Sequence, residues 1–326
     1  MDVHLVTRRG IEPRDAADLP ELLADGEGVV WVDIPSCDQD AALLLKSVFG
    51  FHPLAIGDCM RRNRVPRVHA YPGHEFLILH APELGAGGHV HYLELDQFIA
   101  ERYLVTVHGP VNPAADPQQA LRETSAVRRR IELGKLVPES GFDLSYAIVS
   151  ALAMHQEAFV EVMTEDVWRL EQRVTGGHMG DAEEFLEEMF RARHGLLAVR
   201  TMAALSAEIY GRMGTLGRVP DSAKRLVADL VDQFERVQRI ADGEKEYLQG
   251  VIEFYQTRTD TKMTIAAERL AVIAALTLPI TAVSSVLGMN LIVNTHTHYV
   301  QLIVTLVLMT AMSALLLRWA KKQGWW

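Results

Sequence analysis

Oxygen-bearing side chains recur at helical steps near the end of the chain, and their types point to coordination of a hard cation rather than to bond-making catalysis. Steps of three and four residues connect Ser285, Thr281, Leu278, Ala274, Ala271, Ala267, Thr264, Asp260, Thr257 and Glu253, so in a helix these side chains share one face. The hydroxyls of Ser285 and Thr281 stand at one end of it, followed directly by Gly288, Met289 and Asn290. Neutral oxygen dipoles suit a hard divalent ion such as Mg2+, which gives up its water reluctantly. An amide holds such an ion firmly enough to admit it and weakly enough to release it. The middle of the face, Leu278 to Ala267, is apolar and suited to gating by dewetting. At the far end Asp260 and Glu253 offer carboxylates, which are also what an ordinary solvated helix face carries.

Rival chemistries find less support. His69, His74, His80, His89 and His91 cluster in the chain, yet their spacing does not match HExxH, and they read as dispersed surface or strand residues. There is no GxxxxGKS or GxxxxGKT phosphate loop, so no nucleotide-driven step is expected. Cys37 and Cys59 have no CxxC spacing and read as ordinary thiols. The chain is not expected to be an enzyme or to need a cofactor. A net charge of −10 without concentrated Lys and Arg argues against a nucleic-acid partner and favours a cationic one.

These oxygens must be placed by a membrane. Leu270 to Leu287 and Val300 to Leu317 are charge-free runs of eighteen residues each, long enough to cross a hydrocarbon core as a helical hairpin. Arg258, Lys262 and Arg269 precede the first run and Arg318, Lys321 and Lys322 follow the second, whereas Gly288 to His298 holds no Lys or Arg. By the positive-inside rule both ends are expected in the cytoplasm, with the loop outside. The segment Met1 to Pro20 has charges and no apolar run, so the N-terminus is expected to stay inside as well. Before the first run lies a stalk: from Asp221 to Leu287 no proline intervenes except Pro279, and an unbroken helix of 67 residues would measure about 100 Å. Val227, Leu230, Phe234, Val237, Ala241, Leu248, Ile252 and Tyr255 recur along it mostly at three- and four-residue steps, which reads as a face that leans on copies of itself. Gly243 and Gly250 mark a site for a bend.

The first 140 residues read as a cytoplasmic α/β domain, with strands at Gly28–Ile34, Phe76–His80, Leu93–Ala100 and Tyr103–His108 and helices at Asp40–Phe49 and Pro117–Leu133. Residues 141–269 read as a helical hairpin and the stalk, with turns at Thr175–Gly180 and Gly214–Pro220, and residues 270–326 as the membrane hairpin with a basic tail.

The placement of Gly288-Met289-Asn290 after a stalk and a charge-free run, before a short loop, a second run and a basic tail, resembles the CorA family of magnesium and cobalt channels. The likeness extends to Met263–Ala282 and to His52-Pro-Leu-Ala-Ile-Gly-Asp58 with Arg64-Val-Pro-Arg-Val68, which look like the family's HPLAIED…RPK stretch. The resemblance implies a homopentameric funnel, a selectivity filter at Gly288, Met289 and Asn290, and a pore lined by the first membrane helix. Mg2+ would be both the cargo and a regulator bound between stalks. Among Asp229, Asp232, Glu235 and Asp242, it favours Asp229 and Asp232 as regulatory ligands. The acidic run Asp181, Glu183, Glu184, Glu187 and Glu188 reads as complementing a helix dipole.

One departure bears on the cargo. Many family members carry an acid in the outward loop, whereas Leu291 to His298 has none and instead presents His296 and His298. Imidazoles suit Zn2+, Co2+ or Ni2+ better than Mg2+, which makes the zinc-transporting, proton-coupled ZntB branch the alternative.

Overall fold

The computed structural model describes residues 1–177, 181–215, 219–291 and 299–322, which fall into two units, Met1–Val251 and Ile252–Trp326. The first unit opens with strands β1 (Asp2–Thr7) and β2 (Gly10–Arg14), helix α1 (Leu19–Asp25), β3 (Val29–Ile34), and helices α2 (Gln39–Ser47) and α3 (Pro53–Cys59). Strands β4 (Arg67–Tyr71), β5 (His74–Leu84), β6 (Val90–Ile99) and β7 (Tyr103–Val107) follow. They form one seven-stranded sheet in the order β2-β1-β3-β7-β6-β5-β4, in which only β3 and β7 pair in parallel. Every residue of β3 is buried, as expected of a strand covered on both faces. One cover is α1 to α3 with the α2–α3 connection, which bring Leu19, Leu45, Phe51, Ile56 and Cys59 onto Val30, Val32, Phe76, Ile78 and Phe98. Cys37 and Cys59 are both free and buried there, and burial pushes the Cys37 thiol up to about 11.

The strands expected from hydropathy are present, with β5 and β6 extended into a long hairpin that runs from Glu75 opposite Ile99 to Leu84 opposite Val90. Strands β1, β2 and β4 escaped the hydropathy reading. β2 and β4 are edge strands, short, charged and, in β2, interrupted by Pro13, which is how edges avoid pairing with other chains. The helix expected over Pro117–Leu133 is two, α4 (Pro117–Ala120) and α5 (Arg122–Glu132), because Leu121 leaves helical geometry between them.

The second face of the sheet is covered by α5 and by α6 (Gly141–Gly176) and α7 (Ala182–Thr215). α6 starts where expected. A Cβ on Gly141 would stand 2.1 Å from the Ala100 carbonyl and 2.4 Å from that of Tyr103, so only glycine lets the helix begin this close to the β6–β7 turn. Ser140 caps it, accepting from the Asp143 amide at 3.1 Å. α6 and α7 make an antiparallel hairpin: Arg173 sits over the Phe185 ring near its tip, and Gly195 lies against Met163 lower down.

α8 (Asp221–Leu291) is a single helix of 71 residues, and α9 (Tyr299–Lys322) is the last described helix. Two expectations are corrected here. Gly243 and Gly250 lie within a continuous helix. The stripe Val227, Leu230, Phe234, Val237, Ala241 and Leu248 does not await copies of itself but is buried within the chain. α6 runs parallel beside it, tied by Ser150 to Gln233 at 3.0 Å and by Arg236 to Glu157 at 3.0 Å, while Phe234 stacks on Tyr210 of α7.

Both α8 and α9 contain stretches long and apolar enough to span a bilayer, with mean hydropathies of 1.7 and 1.9. Leu270 and Val300 are 67% and 76% exposed, as are many neighbours, a surface that lipid satisfies and water does not.

Candidate functional site: the oxygen face of α8 and the stalk carboxylates

The face picked out by spacing lies on one continuous helix, and Glu253, Asp260, Thr264, Ala274, Leu278, Thr281 and Ser285 are all exposed in the single chain. The threonine hydroxyls have a defined polarity. Thr257 donates to the Glu253 carbonyl at 2.9 Å, Thr264 to that of Asp260 at 2.9 Å, and Thr281 to that of Thr277 at 2.8 Å. Each hydroxyl hydrogen is thereby spent on the helix, and the oxygen lone pairs are left to face outward. At these three positions the hydroxyl is left to accept, which suits a cation and its hydration shell. Thr257, Asp260, Thr261, Thr264 and Glu268 line a shallow hollow on it. Gly288, Met289 and Asn290 belong to the last turns of α8 rather than to a turn beyond it. His296 and His298 lie outside the described residues.

Among the stalk acids, local partners separate the candidates. Asp242 accepts from Arg200 at 2.8 Å and Lys245 at 3.1 Å, and against a burial cost these cations hold its carboxyl below the usual range. Glu235 pairs with Arg239 at 3.3 Å. Asp229 instead accepts from two neutral donors, the Tyr146 hydroxyl at 2.7 Å and the Gln233 amide at 2.6 Å, both on Oδ2. Its negative charge is oriented without being neutralised. Asp232 is exposed beside it on the same helix. Tyr146 could not be picked out from local sequence, because it lies 83 residues from Asp229. Among the described residues no three His, Cys, Asp or Glu side chains gather as a metal site within the chain.

The acids at the start of α7 are structural. Asp181 Oδ1 accepts from the amides of Glu183 at 2.8 Å and Glu184 at 3.3 Å, Glu187 pairs with Arg191, and Glu188 with Arg173.

The two halves of the His52…Val68 stretch also meet. His52 caps α3, its Nδ1 accepting from the Leu54 amide at 3.2 Å, and Arg67 reaches Asp58 at 4.0 Å. Between them Asn63 binds the sheet: its amide and side chain donate to Glu94 at 2.8 Å each, and its carbonyl meets His80 Nε2 at 2.8 Å. His80 is fully buried, and burial lowers its pKa to about 4, so the neutral ring donates to that carbonyl. Asp96, beside Glu94 and Cys59, is fully buried. Burial, then the Glu94 charge, push its carboxyl well above the usual range. A raised folded value favours the folded state fully only below the ordinary carboxylate pKa, and that contribution fades as pH rises toward the folded value. Asp96→Asn, which mimics the protonated acid, is therefore expected to raise the melting temperature of the full chain at pH 7 by a few degrees, at roughly 2–4 °C per kcal/mol. The difference from wild type should shrink as melts are taken toward pH 4.

An α/β unit continued by one long helix, with two helices apolar enough to cross a bilayer, is the architecture of a membrane protein. The chain belongs to the CorA family of divalent metal ion transporters: the family described as CorA-like Mg2+ transporter protein matches residues 26–322. Among relatives, it is 24% identical to YfjQ of Bacillus subtilis over 90% of this chain and 89% of that one. It is 21% identical to the cobalt/magnesium transport protein CorA of Thermotoga maritima, over 82% of this chain and 74% of that one. The fold matches the CorA magnesium transporter of Methanocaldococcus jannaschii at a TM-score of 0.80 and 14% identity, covering 100% of this chain and 98% of the other.

Proposed function

We propose that copies of this chain, five by family analogy, surround a common axis and conduct Mg2+ into the cytoplasm, with Co2+ or Ni2+ as lesser cargo. The observation that carries the reading is the outward-accepting oxygen face of α8, Glu253 to Ser285, ending in Gly288, Met289 and Asn290. In this reading residues 1–140 and 141–269 are cytoplasmic domain and stalk, and 270–326 is the membrane hairpin with both ends inside. Asn290 rings form the filter, Leu278 and Ala274 the dry constriction, and Asp260 and Glu253 the inner mouth. Asp229 and Asp232 hold a regulatory Mg2+ together with the adjacent subunit, because a charge left uncompensated by its own chain attracts a cation at the interface. The membrane supplies the energy: two charges crossing about 100 mV gain about 4.6 kcal/mol, at about 2.3 per charge. That sustains a gradient of roughly three orders of magnitude.

The test is ion entry into liposomes that carry the purified chain and an internal Mg2+ or Zn2+ dye. Mg2+ entry is expected to rise with an imposed inside-negative potential and to ignore a proton gradient. Zn2+ entry that follows the proton gradient, with no Mg2+ signal, would overturn the reading and move the chain to the zinc branch, with His296 and His298 as first suspects.

A further inference from the structure

The loops that follow β3 and β7 diverge at one end of the sheet. These two strands are the parallel pair, in register from Val30 opposite Tyr103 to Ile34 opposite Val107, so the chain leaves both at the same end. After β3 it passes to α2 and α3 on one face, and after β7 to α4 and then to α5, which covers the other. Adjacent parallel strands whose connections part in this way leave a crevice beyond their carboxyl ends, which is where open α/β sheets bind ligands. Here the crevice is a cavity of about 160 Å3, and both loops contribute to its wall. They are laced together there: the His108 amide donates to the Ile34 carbonyl at 3.0 Å and the Cys37 amide to the Gly109 carbonyl at 3.1 Å. Leu93, Pro110, Val111 and Pro117 make the wall mostly apolar. His108 is the exception built into it. Its side chain is only 1% exposed, and its Nε2 is held by Asp33 at 2.8 Å. The other ring nitrogen, Nδ1, is buried and has no partner among the described residues, which is a costly state for a polar atom.

We infer that this cavity binds a neutral ligand the size of one aromatic ring that carries a hydroxyl group, with the hydroxyl bonded to His108 Nδ1. Size sets the first limit, since an apolar cavity of about 150 Å3 holds benzene. The lining sets the second. An apolar wall accepts a ring, and the Glu94 and Asp116 carboxyl groups set against the Arg62 guanidinium give an anion no net attraction. Glu94 already accepts from Asn63 through both oxygens, and Asp116 accepts from the Gln118 amide, so both acids have donors within the chain. The demand that remains is His108 Nδ1. A hydroxyl meets it whichever way the ring proton lies, because it both donates and accepts. The site lies wholly within the first unit and requires nothing of the oxygen face of α8, so it stands or falls apart from the transport reading.

The experiment is fluorine NMR of para-fluorophenol and of fluorobenzene, each titrated into the full chain in lipid nanodiscs with empty nanodiscs as the blank. The phenol is expected to bind saturably and about tenfold more tightly than fluorobenzene, which is the worth of one hydrogen bond. Ala120→Phe grows a ring from the half-buried end of α4 into the cavity and should weaken the phenol by at least about tenfold. Comparing the two ligands needs no substitution, so it decides the His108 contact whatever the variant does to folding. No saturable signal above the blank would overturn the site. Equal affinities for the two ligands would overturn the hydroxyl contact and with it the ligand class. Undiminished binding by a folded Ala120→Phe would place the ligand elsewhere and overturn the cavity as its seat.

Discussion

Asn290→Ala should lower Mg2+ entry into liposomes by at least about 100-fold at fixed potential, with the oligomer and its melting temperature unchanged. The expectation follows from what the residue offers. An amide oxygen suits the hydration shell of a tightly hydrated ion, and each hydrogen bond to a charged partner is worth about 1.5–3 kcal/mol. Truncation removes it from every copy at once, so a loss of about 3 kcal/mol, or roughly two orders of magnitude, is a lower figure. Asn290→Asp should separate binding from conduction. A ring of carboxylates binds the ion more tightly, so Mg2+ should protect against block by other cations while the flux falls. Unchanged flux in Asn290→Ala would remove the filter from this position.

The second large effect is on folding. Asp33, on β3, is buried with its Oδ1 accepting from the Thr106 hydroxyl at 2.5 Å and His108 Nε2 at 2.8 Å, and Trp31 Nε1 donates to the same Thr106 oxygen at 3.1 Å. Burial by itself raises its pKa, and the hydrogen bonds and charge of His108, with Thr106, more than reverse this, so the carboxyl ends below its ordinary value. Asp33→Ala strips these buried partners at once. Removing one member of a buried hydrogen-bonded pair costs about 3–5 kcal/mol. At roughly 2–4 °C per kcal/mol for a unit of this size the melting temperature should fall by about 10 °C. Asp33→Asn, which keeps an acceptor oxygen, should lose less. The pH dependence has a definite sign. With a depressed folded value, the stabilisation is complete above the ordinary carboxylate pKa and is lost as pH falls through the folded value. Wild type should therefore soften on the acid side, and Asp33→Ala should show a flatter acid limb. Equal melting of Asp33→Ala and wild type at pH 7 would show that the network contributes nothing.

Much of the membrane half was legible in the residues alone. Hydropathy located both apolar helices, the three-and-four step located the face that carries Glu253 to Ser285, and the triplet with its flanking runs pointed to the CorA family. These are properties of neighbouring residues on one helix, where 100° per residue converts spacing into direction. The central strands β3, β6 and β7 were equally plain, because each is rich in Val, Ile, Leu or aromatic residues.

Only the tertiary structure decided the rest. Edge strands β2 and β4 carry the charges, and β2 the proline, of exposed elements, so no local pattern marked them as sheet. Four stalk acids look alike in sequence. Asp242 is neutralised by Arg200, 42 residues away, whereas Asp229 meets the neutral Tyr146, 83 residues away, and the neutral Gln233. The stalk's main apolar stripe suggested self-association and proved to be buried against α6 and α7, while the glycines that suggested a bend lie in an unbroken helix. Periodicity says that a face is apolar. Which body covers it depends on where distant segments pack, and no short window of sequence contains that information.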